Sequence, residues 1–309
     1  MLQFLTYLFI AIYTATVIGI ILVVILGNRN PLKTIPWVVV LIFAPVVGLV
    51  FYFFFGQDLR RKRIISRRTY KRLMVYALPA HVRRSDAPVP AACQSLSTLL
   101  TNTSQAVSFY GSRLTHYGDG ASKMTALLEE IEKARDHIHI LYYIFCDDET
   151  GARLQQALIR KAKEGVKVRV LYDDVGCNGV KKEFFQQMRD AGAEVHALLH
   201  VRFPMLTDRV NYRNHRKIVV IDGRIAYTGG VNLADEYINA EQRFGYWKDA
   251  ALRIEGDAAW SFTVMFLNFW NAFRPSETDY SAFRPQHSAH PVQDGIVQPY
   301  ADSPLDEEP

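Results

Sequence analysis

The chain has few of the residues that build metal, disulfide or nucleotide sites. Three cysteines, Cys93, Cys146 and Cys177, stand among 309 residues, too few and too scattered for a disulfide framework or a zinc site. Reduced thiols in a cytosolic domain are the simplest expectation. The pairs His137-x-His139 and His196-x-x-x-His200 invite a metal reading, yet Asp136 and Glu194 beside them complete no recognisable ligand set. Gly176–Gly179 lacks the G-x-x-x-x-G-K-[ST] spacing that cradles a nucleotide phosphate. No metal and no cofactor are expected. The N-terminus also lacks the basic opening and small-residue cleavage site of a signal peptide.

Charge is absent from residues 4–26 and again from 35–55. As helices these runs would reach roughly 31–35 Å, enough to cross the hydrocarbon layer. Residues 1–56 are therefore expected to form a transmembrane hairpin. Pro36 falls in the first turn of the second span, where it is tolerated, and Pro45 lies inside, where it should kink the helix. The formal charge is +5, but residues 57–84 hold ten Lys/Arg against one acid and residues 1–56 hold two more cations, leaving 85–309 at −6. The cluster Arg60-Arg61-Lys62-Arg63 places the chain beyond it in the cytoplasm, with the anchor in the inner membrane. Such a patch also favours anionic lipid headgroups. The acidic balance of the rest argues against a nucleic-acid partner.

Residues 57–110 read as a basic, partly helical connector broken by Pro79, Pro88 and Pro90. Residues 111–273 alternate between helical and strand patterns. Helices are expected over 122–135, capped by Ser122, and over 151–164, 181–191 and 257–271. Strands are expected over 137–145, 166–172, 193–199, 214–221 and 250–254. This alternation predicts an α/β domain with a mixed sheet flanked by helices. The tail 274–309, rich in Pro, Ser and acids, is expected to be poorly ordered.

Residues 213–232 carry the chemistry. His215 and Lys217 share one face if 214–221 is a strand, and Asp222-Gly223 signals a two-residue hairpin turn. An imidazole beside an ammonium suits a phosphodiester: the ring attacks phosphorus and the cation holds the non-bridging oxygens. Gly229-Gly230-Val231-Asn232 comes next, with glycines that let the backbone approach a phosphate and an amide that donates to it. Asp222 has the opposite parity and sits at the turn, so it is expected to fix the hairpin rather than touch substrate. The histidine needs an acceptor on its second nitrogen.

The pattern H-x-K-x-x-x-x-D followed by G-G-x-N resembles the phospholipase D superfamily, and within it the bacterial cardiolipin synthases. Gly56-Gln57-Asp58, Tyr143-Ile144-Phe145, the run Gly165–Asp173 and Tyr246-Trp247-Lys248-Asp249 extend the resemblance over most of the chain. It implies catalytic roles for His215, as nucleophile or general acid, and for Lys217 and Asp222, substrate contacts from Gly230 and Asn232, and Asp249 as the supporting carboxylate that orients His215, with Glu241 its rival. It also implies that phosphatidylglycerol is the substrate, through a phosphatidyl-histidine, with no cofactor. The family carries two such motifs facing each other. Here the residues two places after the other eight histidines are Arg83, Gly118, His139, Leu141, Leu198, Arg202, Ala289 and Val292. Gly295–Pro304 looks like the opening of the family's second half, so either that half or a homodimer is expected to complete the site. The rival readings are a dimeric single-motif phosphodiesterase and an inactive fragment.

Overall fold

The computed structural model describes residues 2–26, 31–44, 47–48, 51–52, 89–200, 213–274, 279–285 and 295–301. The chain divides into two compact units, one N-terminal and one comprising the domain.

In the N-terminal unit, α1 spans Leu2–Leu26 without a charged residue, roughly 37 Å of helix. Helix α2 covers Pro31–Phe43. Pro31 holds the first helical position, where a missing N–H costs nothing, while Pro36 lies inside the helix rather than in its first turn. Trp37 packs edge-on against Tyr52, centroids 5.5 Å apart. Counted over the described residues alone, no helix is long and apolar enough to cross a membrane. Among the described residues of the second expected span, helix covers residues 35–43 and recurs at Val47, Gly48 and Phe51. Pro45 and the basic patch 57–84 lie outside the described residues.

The domain is built on a seven-stranded mixed sheet. Its strands are β2 (Arg113–Tyr117), β3 (His137–Tyr142), β4 (Lys167–Asp173), β5 (Glu194–Leu198), β6 (Ile218–Ile221), β7 (Ile225–Gly229) and β8 (Ala251–Glu255). Their order is β2-β8-β7-β6-β3-β4-β5. β3, β4 and β5 run parallel, joined through helices α5 (Glu149–Lys163) and α6 (Lys182–Asp190), and the other pairings are antiparallel. Helix α4 (Gly120–Glu132) precedes β3. Its cap is Asp119, whose carboxylate accepts from Ser122 N–H at 2.8 Å. Ser122, expected as the cap, is inside the helix.

Period-two alternation sends Ile138, Ile140 and Tyr142 to one face, where Leu127 and Ile131 of α4, Leu154 and Leu158 of α5 and Phe185 of α6 cover them. The opposite face, with Leu141, Leu171 and Val220, lies under α7 (Ala259–Phe273). That helix is apolar nearly all round, as a buried helix must be. Within the tail expected to be disordered, Tyr280 and Phe283 are buried under the same face. β9 (Ile296–Val297) pairs with β1 (Phe109–Tyr110). Their apolar side chains supply the burial that the surrounding composition hid. Helix α3 (Gln94–Ser104) belongs to the expected connector.

The α7 face also contains a polar layer. His137 and His139 on β3 lie opposite Lys167 and Arg169 on β4. The Arg169 guanidinium sits over Trp270 and Phe283 and donates to Glu194 at 3.0 Å. His139 is stacked on Phe266 at 4.5 Å, and among the described residues neither of its ring nitrogens has a hydrogen-bond partner. Burial pushes its pKa well below 6.5, helped by His137, Arg169 and Lys167. Burial also lowers that of His137, against the opposing effect of Asp136 and Asp222. In the unfolded chain an imidazole takes a proton near pH 6.5, which the folded chain refuses. Stability is therefore retained above pH 6.5 and falls below it, by up to about 1.4 kcal/mol per pH unit per histidine. Thermal unfolding at pH 7.5 and 5.5 should show this loss. His139→Phe, which keeps the stack, should shrink the difference between the two pH values. An unchanged difference would remove His139 from the explanation.

Candidate active site

One edge of the sheet gathers the ends of β3, β4 and β7 and the starts of β6 and β8. The chain approaches β6 through residues 213–217, which belong to no strand, so the strand begins at Ile218 rather than 214. The reason is local. Asp173, fully buried at the end of β4, takes Arg213 in a forked ion pair with bonds of 2.7–3.1 Å. It also accepts from Val175 and Gly176 N–H at 3.0 Å each, and from Asn214 N–H at 3.4 Å. The Arg213 guanidinium further donates to Leu199 carbonyl at 3.0 Å. The approach segment is pinned by these bonds instead of by a ladder.

Pinning leaves the His215 side chain exposed and stacked on Tyr143, centroids 3.9 Å apart at 23°. Lys217 is buried at 8% exposure. Its Nζ donates to the His215 carbonyl at 2.7 Å and stands 5.5 Å from the Tyr143 ring centre. Tyr143 thus positions both groups, a role that the sequence pattern did not give it. Burial lowers the His215 pKa, with Lys217 and Arg213 adding to the effect and Asp173 opposing it. The shift favours the uncharged imidazole. Burial also lowers the Lys217 pKa, which Asp249 partly restores.

The remaining expected residues separate. Asp222 is at the far end of β6, roughly 16 Å of strand from Lys217. Its carboxylate accepts from the backbone N–H groups of Arg135, Asp136 and His137 at 2.9–3.3 Å, locking the hairpin to the start of β3. The turn holds three residues, not two: Ile221 pairs with Ile225, and Asp222 and Gly223 both have positive φ. Asn232 is buried and accepts from Ile144 N–H at 3.2 Å, while Tyr237 hydrogen-bonds its side chain. It ties β7 to the end of β3 that carries Tyr143.

Asp249 accepts from the Trp247 indole at 3.2 Å and from Ala250 N–H at 2.8 Å. Its charge acts on Lys217, whereas the carboxylate that acts on His215 is Asp173. The rival Glu241 is exposed. Asp249 also acts on Lys123 of α4, a fully buried lysine missed at the sequence level. Its Nζ donates to Tyr142 Oη at 2.8 Å, and burial lowers its pKa to about 7. The available signal was a lysine one turn before Leu127, on the apolar stripe of the helix. Among the described residues, no three His, Cys, Asp or Glu side chains are arranged for a metal ion.

Gly230 has a demonstrable steric role. A Cβ there would lie 2.1 Å from Asp249 Oδ1. Gly230→Ala should displace the carboxylate that acts on Lys217 and lower the Lys217 pKa further, with the fold intact by circular dichroism. An unchanged Lys217 titration by NMR in this variant would show that the Asp249 position is unimportant.

Two families match the chain. One, described as cardiolipin synthase, PLD-like domain, covers residues 127–247, and one described as phospholipase D-nuclease N-terminal covers residues 14–57. A cardiolipin synthase of Listeria monocytogenes serotype 4b is 35% identical over 287 residues, 90% of this chain and 60% of that protein. The major cardiolipin synthase of Bacillus subtilis (strain 168) is 37% identical over 259 residues, 81% of this chain and 54% of that protein. The chain spans three-fifths or less of the length of both relatives. Among solved structures, phosphatidylserine synthase of Haemophilus influenzae covers 64% of this chain and 44% of its own, with TM-score 0.42 and 17% identity.

Proposed function

From a chain that belongs, through residues 127–247, to the phospholipase D-like family of cardiolipin synthases, we propose a membrane-anchored phosphatidyltransferase with His215 as nucleophile. The observation that carries this reading is the exposed His215 imidazole stacked on Tyr143 beside the Lys217 side chain. In the first step a nitrogen of His215 bonds to phosphorus of phosphatidylglycerol. The bond from phosphorus to the headgroup oxygen breaks, and glycerol leaves with a proton. In the second step the hydroxyl of another phosphatidylglycerol attacks, loses its proton, and takes the phosphatidyl group to give cardiolipin. Lys217 offsets charge on the phosphoryl oxygens in both steps. The covalent intermediate conserves the phosphoester energy, so the reading calls for no nucleotide or metal.

Leaving alkoxide and incoming alcohol both need a proton carrier. Two copies of His215 facing across a homodimer, or a second half of the family type, would supply it. In the sequence, the charge-free runs 4–26 and 35–55 and the basic run 57–84 support anchorage in the inner membrane with the domain in the cytoplasm. The test uses full-length chain in phosphatidylglycerol vesicles, with glycerol, phosphatidic acid and cardiolipin quantified beside the measured oligomeric state. Glycerol and cardiolipin in equal amounts support transfer. Phosphatidic acid instead of cardiolipin means that water is the acceptor and supports the phosphodiesterase alternative.

A further inference from the structure

The segment between the site's asparagine and its carboxylate forms a closed loop with an unusual surface. Asn239 clamps its base: the amide donates to Trp247 carbonyl at 3.1 Å, and the amide oxygen accepts from Trp247 N–H at 2.6 Å. Trp247 is half-buried against Tyr237, centroids 4.7 Å apart. Lys248 Nζ donates to the Gly118 carbonyl. Between these fixed points residues 240–246 are all exposed, and Phe244 and Tyr246 are 63% and 69% accessible. The Arg243 guanidinium lies over the Phe244 ring, 5.1 Å from its centre.

We infer that this loop docks the site onto a bilayer containing anionic phospholipid, with Phe244 and Tyr246 entering the interfacial layer. This inference rests on the reading of the site as lipid-directed. Three observations select a lipid surface. A phenol and a phenyl on a fixed base match the interfacial layer, where one end of a side chain is apolar and the other wet. Arg243 can keep its stem along Phe244 while its head reaches phosphate. Glu241, Arg243 and Lys248 give residues 240–248 a net charge of +1 within a domain segment that is otherwise acidic, so the positive charge sits where anionic headgroups would meet it. The loop also runs directly into Asp249, whose charge acts on Lys217. A surface held by the loop therefore delivers its headgroups to the site.

The test places p-benzoylphenylalanine at position 244 of the full-length chain, reconstituted in vesicles of phosphatidylglycerol and phosphatidylethanolamine with radiolabelled acyl chains. A second chain carries it at Leu114, exposed on β2. After irradiation, label should attach at 244 and not at 114. Chain-to-chain adducts at 244 without lipid would assign the loop to a second copy and overturn the inference, as would equal labelling at both positions. A variant with Phe244→Ser and Tyr246→Ser provides the kinetic counterpart. It should lose about tenfold in rate on vesicle phosphatidylglycerol and keep its rate on a short-chain phosphatidylglycerol below its micelle concentration. Equal losses on both substrates would also overturn docking. The cross-link decides the docking whether or not the unmodified chain turns over either substrate, so failure of the docking and failure of the functional reading are read separately.

Discussion

His215→Gln should reduce phosphatidyl transfer by about 10³-fold or more, with a melting temperature within a degree or two of the parent. On the proposed mechanism the size follows from removing the attacking atom. The unchanged stability follows from the exposure of the ring, whose stack on Tyr143 is its principal contact. The parent should also lose activity as pH falls through the His215 pKa, which lies below the usual 6.5, because protonation removes the nucleophilic lone pair. Residual turnover within tenfold of the parent in His215→Gln would mean that another group attacks phosphorus.

The second large effect concerns stability and separates two residues of one motif. Asp222→Ala deletes a carboxylate that accepts from three backbone N–H groups at the start of β3, and it puts alanine at φ 51°. Charge-assisted bonds of this kind contribute about 1.5–3 kcal/mol when lost. The expected cost is about 3 kcal/mol, roughly 8 °C in melting temperature, and Asp222→Asn should cost less. Lys217→Met replaces a desolvated ammonium with an apolar side chain of similar length. It should hold or raise the melting temperature and reduce transfer by about 10²-fold or more. Equal destabilisation by Asp222→Ala and Lys217→Met would defeat the distinction.

Where sequence reasoning worked, the physical signal was strong. The α5–β4–α6–β5 run has full helical turns and short apolar strands, and its elements fall within two residues of the expected ones. Asp222 was placed at the turn by parity and Asp222-Gly223 alone. The errors have identifiable causes. Asp173 diverts Arg213 and Asn214 from the β6 ladder, a competition that only a folded chain displays. Tyr280 and Phe283 were lost in a polar tail, although each fills a buried position. Asp249 was expected on His215, but the backbone at Gly230 seats it near Lys217 and Lys123. No one-dimensional spacing relates Lys123 to Asp249, 126 positions apart.

The nucleophile assignment is tested most directly by trapping the intermediate. Full-length chain in vesicles of radiolabelled phosphatidylglycerol would be quenched under alkaline denaturing conditions, which preserve a phosphoramidate, and the labelled peptide sequenced by mass spectrometry. A phosphatidyl group should be found on the imidazole of His215, appearing and decaying at rates that match turnover, and absent from His215→Gln. Sustained turnover with no adduct at His215, or an adduct that persists in His215→Gln, would rule out His215 as the nucleophile.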